Sequence, residues 1–170
     1  MRALVVYESM FGNSAKVAGL VAAGLEKGYT VTLADVREMP PLTGVDLLVL
    51  GGPTHAFGMS RPATRADAAR QGAIREGAQE AGIREFLDRA PQLAGVAVAA
   101  FDTRSNTPLP SGSAARKAMR RLRGLGGRQV LEAESFRVES ARGPLVAGEE
   151  ERARQWGETL ALSVRGPVGI

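Results

Sequence analysis

Three short apolar runs, each opening into a polar loop with a helical pattern beyond it, constrain this chain most. Ala3 to Tyr7 leads into Glu8–Ser14. Asp46 to Gly51, with Leu47, Leu48, Val49 and Leu50 in succession, leads into Gly51–Gly58. Gly95 to Phe101, with Val96 through Ala100 at its centre, leads into Asp102–Pro108. Runs this short and this continuously apolar are what a parallel strand needs when both faces of its sheet are covered. Thr30 to Asp35, after the helix stop Lys27-Gly28, and an uninterrupted Gln129 to Val138 complete five predicted strands. Five strands alternating with helices predict an α/β fold, a parallel sheet with helices on both faces. Ligands on such a sheet bind at the carboxyl ends of the strands, where the strand order reverses. The three polar loops lie at that edge.

The helical segments follow from spacing and caps. The helix after Ser14 carries Val17, Leu20, Val21 and Leu25 on one face. Pro40-Pro41 keeps Val36 to Gly44 a loop. Met59 to Gly82 is polar and rich in alanine and arginine. A short helix is expected there over Thr64 to Gln71, with Thr64 and Asp67 as a capping box. A second runs from about Gln79 to Arg89 and stops before Pro91. With few large apolar residues, this segment is expected to be a loosely held cover beside the second loop. Ser113 caps a helix over Ala114 to Gly124, with Ala115, Met119 and Leu122 inward. Gly148 opens the last helix, which places Glu149, Glu150 and Glu151 where the dipole favours them and turns Ala153, Trp156 and Leu160 to the core. Arg165 to Ile170 reads as a loose tail. No repeat or linker divides the 170 residues, so one domain is expected over 1–170, with a core from about 3 to 163.

Composition narrows the chemistry. There is no cysteine, which excludes thiolate metal sites, cysteine-held iron–sulfur clusters and disulfides. Redox chemistry therefore needs a bound cofactor. His55 is the one histidine, so no metal site is expected on it. The net charge is +4, carried mostly by arginine. The basic residues are spread out without aromatic partners, so nucleic acid is not expected as a ligand. No apolar run is long enough to cross a bilayer, and Met1-Arg2-Ala3 runs straight into a strand, so no membrane insertion and a cytoplasmic location are expected. The oligomeric state is left open. There is no Walker sequence, no His-Glu-x-x-His and no nucleophile elbow, and Gly124 to Gly127 follows a helix rather than a strand.

The first loop allows two readings. A strand feeding a hydroxyl-rich loop that opens a helix is an anion site, because first-turn N–H groups and the helix dipole face the loop. Ser9, Asn13 and Ser14 add donors there, and Gly12 lets the backbone approach a ligand. The other reading is an ordinary turn capped by Asn13 or Ser14.

Ser9-Met10-Phe11-Gly12-Asn13-Ser14 resembles the phosphate loop of flavodoxins, and Gly52-Pro53-Thr54-His55-Ala56-Phe57-Gly58 resembles their second flavin loop. Phe101-Asp102-Thr103-Arg104 stands in the place of the third. The resemblance spans roughly residues 3 to 163 and implies a flavodoxin-like three-layer sandwich with a five-stranded parallel sheet in order 2-1-3-4-5. Flavodoxins are a known instance of the switch-point rule, so the expected cleft is matched to that case. The implied cofactor is FMN. Its phosphate would sit on Ser9, Met10, Phe11, Gly12, Asn13 and Ser14. Pro53, Thr54, His55, Ala56, Phe57 and Gly58 would flank the ring, with Phe57 stacked on it. Asp102, Thr103 and Arg104 would form the third side, where electron carriers usually place a tyrosine. The resemblance implies electron transfer with a redox partner protein. Phe11 after Ser9-Met10 is closer to the quinone-reductase branch, which implies as an alternative an FMN-dependent NAD(P)H:quinone oxidoreductase with quinone and NAD(P)H as partners. A flavin-free binding module is the third reading. Arg61 and Arg104, in or beside these loops, are expected to favour the reduced flavin and an acidic partner surface.

Overall fold

The structure, a computed structural model, describes residues 1–107 and 112–163. Pro108, at the end of the expected third loop, and the tail expected from Arg165 lie outside the described residues. The strands are β1 (Arg2–Tyr7), β2 (Thr30–Asp35), β3 (Leu47–Pro53), β4 (Ala97–Ser105), β5 (Arg128–Gln129) and β6 (Glu134–Val138). The helices are α1 (Asn13–Leu25), α2 (Pro62–Gln71), α3 (Ile83–Arg89), α4 (Ala114–Gly124) and α5 (Glu149–Ser163). The sheet is parallel in the order β2-β1-β3-β4-β5, and β6 also pairs with β4. The order 2-1-3-4-5 is thus the one expected.

Each central strand divides its side chains between two cores. Ala3, Val5, Leu47, Val49, Ala97 and Ala99 face α1 and α5. Leu4, Val6, Leu48, Leu50, Val98 and Ala100 face α3 and α4. Period two with both faces buried produces the unbroken apolar runs. Phe101, Phe136 and Trp156 pack edge to face in the first core, with ring centroids 6.0–6.2 Å apart. Gly51 makes room for them, because a Cβ there would enter the Phe101 ring. Gly24 and Gly157 let α1 and α5 touch backbone to backbone.

Four expectations are corrected. The last strand is not uninterrupted. Between the pairs Val98–Gln129 and Phe101–Glu134, β4 advances three residues (98 to 101) while its partner advances five (129 to 134). Val130 N–H still donates to the Val98 carbonyl at 3.2 Å, and the surplus leaves the ladder at Leu131–Ala133 as a bulge, which an edge position tolerates. β4 runs on through Ser105, so Asp102, Thr103 and Arg104 are strand rather than loop. Pro62 occupies the first turn of α2, so Thr64 is its third residue; Thr64 Oγ1 accepts from Arg61 N–H at 2.8 Å, and no box with Asp67 forms. α3 begins only at Ile83, where the Glu85 carboxylate accepts from Gly82 N–H at 2.9 Å.

The segment from Met59 to Gly82 is fastened by polar groups. Arg65 is 1% exposed. It donates to Ser60 Oγ (2.8 Å) and to the Gln79 carbonyl (3.2 Å) and pairs with Glu85 (2.7 Å). Ser60 in turn donates to Glu8 Oε2 at 2.5 Å, and Ile83 N–H donates to Glu8 Oε1 at 2.8 Å. The expectation of a loosely held cover counted apolar side chains alone and missed this network.

Candidate functional site

A cleft of about 250 Å³ opens at the carboxyl ends of β1, β3 and β4. It gathers Ser9, Met10, Phe11, Asn13 and Ser14 from the first loop, Pro53, Thr54 and His55 from the second, and Thr103 from β4. Gly12, Ala56, Phe57, Gly58, Asp102 and Arg104 do not line it. Ser105, Val138 and Ala141 line it without having been predicted. The last two come from the end of β6 and the connection to α5. Only the bulged register of β6 brings them to this edge, and the one available signal was the glycine and proline at 143–144.

The first loop is shaped by its own side chains. Gly12 has φ 107°, the left-handed conformation that glycine reaches without strain, and no atom lies within 4 Å of where a Cβ would stand. Ser9 Oγ accepts from Gly12 N–H at 3.1 Å. Ser14 Oγ and Thr103 Oγ1 are 2.9 Å apart and buried. Asn13 Nδ2 donates to the Ala141 carbonyl at 3.0 Å. The Asn13 amide and the Ser14 hydroxyl are therefore engaged in holding the cleft together, while the first-turn N–H groups of α1 have no intrahelical partners. α1 carries no acidic residue in its first turn. The donor set, aligned with the helix dipole and backed by an open approach at Gly12, fits a phosphate group.

The second loop is a tight hairpin. His55 and Gly58 exchange both backbone hydrogen bonds, at 2.8 and 2.9 Å, around Ala56 and Phe57. Both central residues have positive φ, 43° and 72°, which costs on the order of 1–3 kcal/mol for each non-glycine residue. Phe57 is 61% exposed and is not among the residues that line the cleft. His55 Nδ1 is 3.2 Å from Thr64 Oγ1. Burial, with the Arg65 charge in second place, holds the imidazole below its ordinary pKa and so neutral at pH 7. Thr54 Oγ1 accepts from Ala114 N–H at 3.0 Å, which ties this loop to α4.

The third side differs most from expectation. Asp102 is fully buried, and one carboxylate oxygen accepts from Ser113 Oγ (2.6 Å) and Ala115 N–H (3.0 Å) at the start of α4. The backbones of Asp102 and Thr103 lie in the β3–β4–β6 ladder, and the Thr103 carbonyl accepts from Thr54 N–H at 3.0 Å. Their polar groups thus serve the sheet. Arg104 reaches toward Ser135 on β6, at 3.4 Å, and burial followed by the Arg137 charge lowers its pKa.

The model of one family, flavodoxin, matches residues 5–156. No curated protein matches the chain in sequence. Among solved structures, a flavodoxin from the domain Archaea is similar over 96% of this chain and 99% of its own, at 18% identity and a TM-score of 0.72. Flavodoxin 1 from Bacillus cereus, in its oxidised form, aligns over 92% of this chain and 95% of its own, at 19% identity and a TM-score of 0.64. A WrbA-like flavodoxin from Agrobacterium tumefaciens aligns over 96% and 97%, at 20% identity and a TM-score of 0.63.

Proposed function

This chain belongs to the flavodoxin family, and on that premise we propose that it binds FMN in the cleft at the carboxyl ends of β1, β3 and β4 and passes electrons to a redox partner protein. The observation that carries the reading is the first loop. Gly12 in the left-handed conformation opens onto the partnerless first-turn N–H groups of a helix free of acidic residues.

In this reading the N–H groups of Met10, Phe11, Asn13 and Ser14 hold the phosphate, with Ser9, which steadies Gly12 N–H, and Thr54 beside them. When bound, FMN supplies one- and two-electron transfer at its ring system. Met10, Phe11 and Val138 supply the apolar part of the cleft wall and limit water there. His55, neutral and steadied by Thr64, offers one ring nitrogen to the cleft as a hydrogen-bonding group. Phe57 stands exposed on the strained hairpin, outside the residues that line the cleft. The partner surface is acidic, because Arg61, Arg104, Arg142 and Lys117 stand in or beside the loops and the chain has a net charge of +4. Phe11 at the cleft wall favours a second reading, an FMN-dependent quinone reductase using NAD(P)H.

Adding FMN to the flavin-free protein tests the first reading. Binding is expected to quench flavin fluorescence and perturb its visible spectrum, and Gly12→Val is expected to abolish both. Binding by Gly12→Val equal to that of the wild type would remove the phosphate assignment. Oxidation of NAD(P)H by a quinone, with this protein as sole catalyst, would select the reductase.

A further inference from the structure

We propose that Arg142 is a phosphate-selecting strap, which closes over the first loop and distinguishes a flavin bearing a terminal phosphate from one without it; this rests on the FMN reading above. Asn13 holds the chain on both sides of Arg142. Its Nδ2 donates to the Ala141 carbonyl at 3.0 Å, and Gly143 sits so close to its Oδ1 that a side chain there would collide. Arg142 is thus anchored beside the first residue of α1. From there its guanidinium crosses to α2 and donates to the Gln71 carbonyl at 2.5 Å, lying where a Cβ on Gly72 would otherwise stand. The segment just after α2 is bound to the same loop from the other side, by Arg75 N–H to the Met10 carbonyl at 2.8 Å and Arg75 Nη1 to the Ser9 carbonyl at 3.2 Å. Arg142 therefore bridges the two walls that flank residues 10–13.

Its partner in this structure is a neutral carbonyl. A phosphate monoester offers a guanidinium two charged acceptors in the geometry of its fork, which a single carbonyl does not. Ala141, the residue before it, already lines the cleft. A phosphate on the first-turn N–H groups of α1 draws the guanidinium from Gln71 onto its oxygens. The 139–143 connection keeps its place, because Asn13 holds the Ala141 carbonyl and Gly143 N–H donates to the Ser140 carbonyl at 2.9 Å, so the exchange moves the Arg142 side chain alone. A merely structural role is also available to Arg142, because Gln71 is the last residue of α2 and its carbonyl has no intrahelical donor.

The test uses the full chain freed of flavin, titrated with FMN and with riboflavin by fluorescence quenching, for the wild type, Arg142→Gln and Arg142→Lys. Arg142→Gln is expected to raise the Kd for FMN by about tenfold, the effect of losing one partly exposed charge-assisted hydrogen bond, and to leave the Kd for riboflavin unchanged. Arg142→Lys is expected to recover part of the loss. Inorganic phosphate is expected to compete with FMN less well in Arg142→Gln than in the wild type. Thermal unfolding of the flavin-free variants reads the helix-capping role separately. If FMN binds and Arg142→Gln weakens both flavins equally, or neither, the strap is overturned and the FMN reading stands. If the wild type binds neither flavin, both fall together.

Discussion

Ser14 and Thr103 share a buried hydroxyl–hydroxyl hydrogen bond of 2.9 Å that ties the first turn of α1 to β4. Ser14→Ala leaves the Thr103 hydroxyl buried without that partner, so a stability loss of about 1–3 kcal/mol is expected in urea unfolding, besides any loss of FMN affinity. Unchanged stability would mean that the pair does not brace the cleft. Glu8, the first residue of the loop, is 2% exposed, and burial raises its carboxyl above the ordinary carboxylate range, with Ser60, the Ile83 N–H and Arg65 opposing and Glu85 adding to the rise. A raised pKa means that the folded state binds the proton more tightly than the unfolded chain. Its stabilising contribution is therefore complete below about pH 4.5 and is lost as the pH rises through the folded value. Glu8→Gln, which cannot ionise, is expected to flatten this part of the stability–pH curve. A slope identical to that of the wild type above pH 4.5 would show that Glu8 is not the titrating group.

Polar fastening and close backbone contact, rather than apolar area, set the strength of individual elements. α2 buries little hydrophobic surface, and Arg65 is what joins it to Glu85, Ser60 and the Gln79 carbonyl. Arg65→Met is expected to cost about 2–3 kcal/mol, because Glu85 and Ser60 keep their polar groups and lose the donor. Limited proteolysis is expected to cut the variant first within residues 59–82; a digestion pattern like the wild type's would deny the network its role. α1 and α5 present the opposite case. Gly157→Ala drives a Cβ into the Val21 carbonyl, a backbone atom that cannot move aside as a side chain does. A loss of about 1–3 kcal/mol in thermal unfolding is expected, the range for overpacking a close contact.

At the scale of the whole molecule, charge is the property that reaches a partner. The net charge is +4, and basic residues stand in all three loops or next to them. Association with an acidic redox partner is expected to slow as salt rises, since charges beyond about 10 Å are screened at 0.1 M. Stopped-flow electron transfer between 20 and 500 mM salt, concentrations on the order of those that span this screening range, is the measurement. An on-rate that does not vary with salt would remove the acidic partner. Among the described residues no helix is long and apolar enough to cross a membrane.

The sequence by itself determined the alternating elements and the covered parallel sheet, because patterning is local, while the strand order came from the resemblance of its loops to those of flavodoxins. Leu47 to Leu50 and Ala97 to Ala100 are apolar at every position, which only a strand covered on both faces uses, and Ser113 and Glu149 to Glu151 mark helix starts by chemistry that acts within one turn. It also placed the first loop, since Gly12 and the residues around it act through their own backbone. Tertiary structure decided where polar side chains end. Asp102 caps α4, Asn13 holds Ala141, Ser14 pairs with Thr103, and Glu8 and Arg65 meet through Ser60 across more than fifty residues of chain. Val138 and Ala141 reach the cleft only through the bulged pairing of β6 with β4, and Ser105 because β4 runs on as strand past the expected loop. Apolar burial follows from periodicity that each segment carries alone. A hydrogen bond needs a partner whose position the rest of the fold supplies.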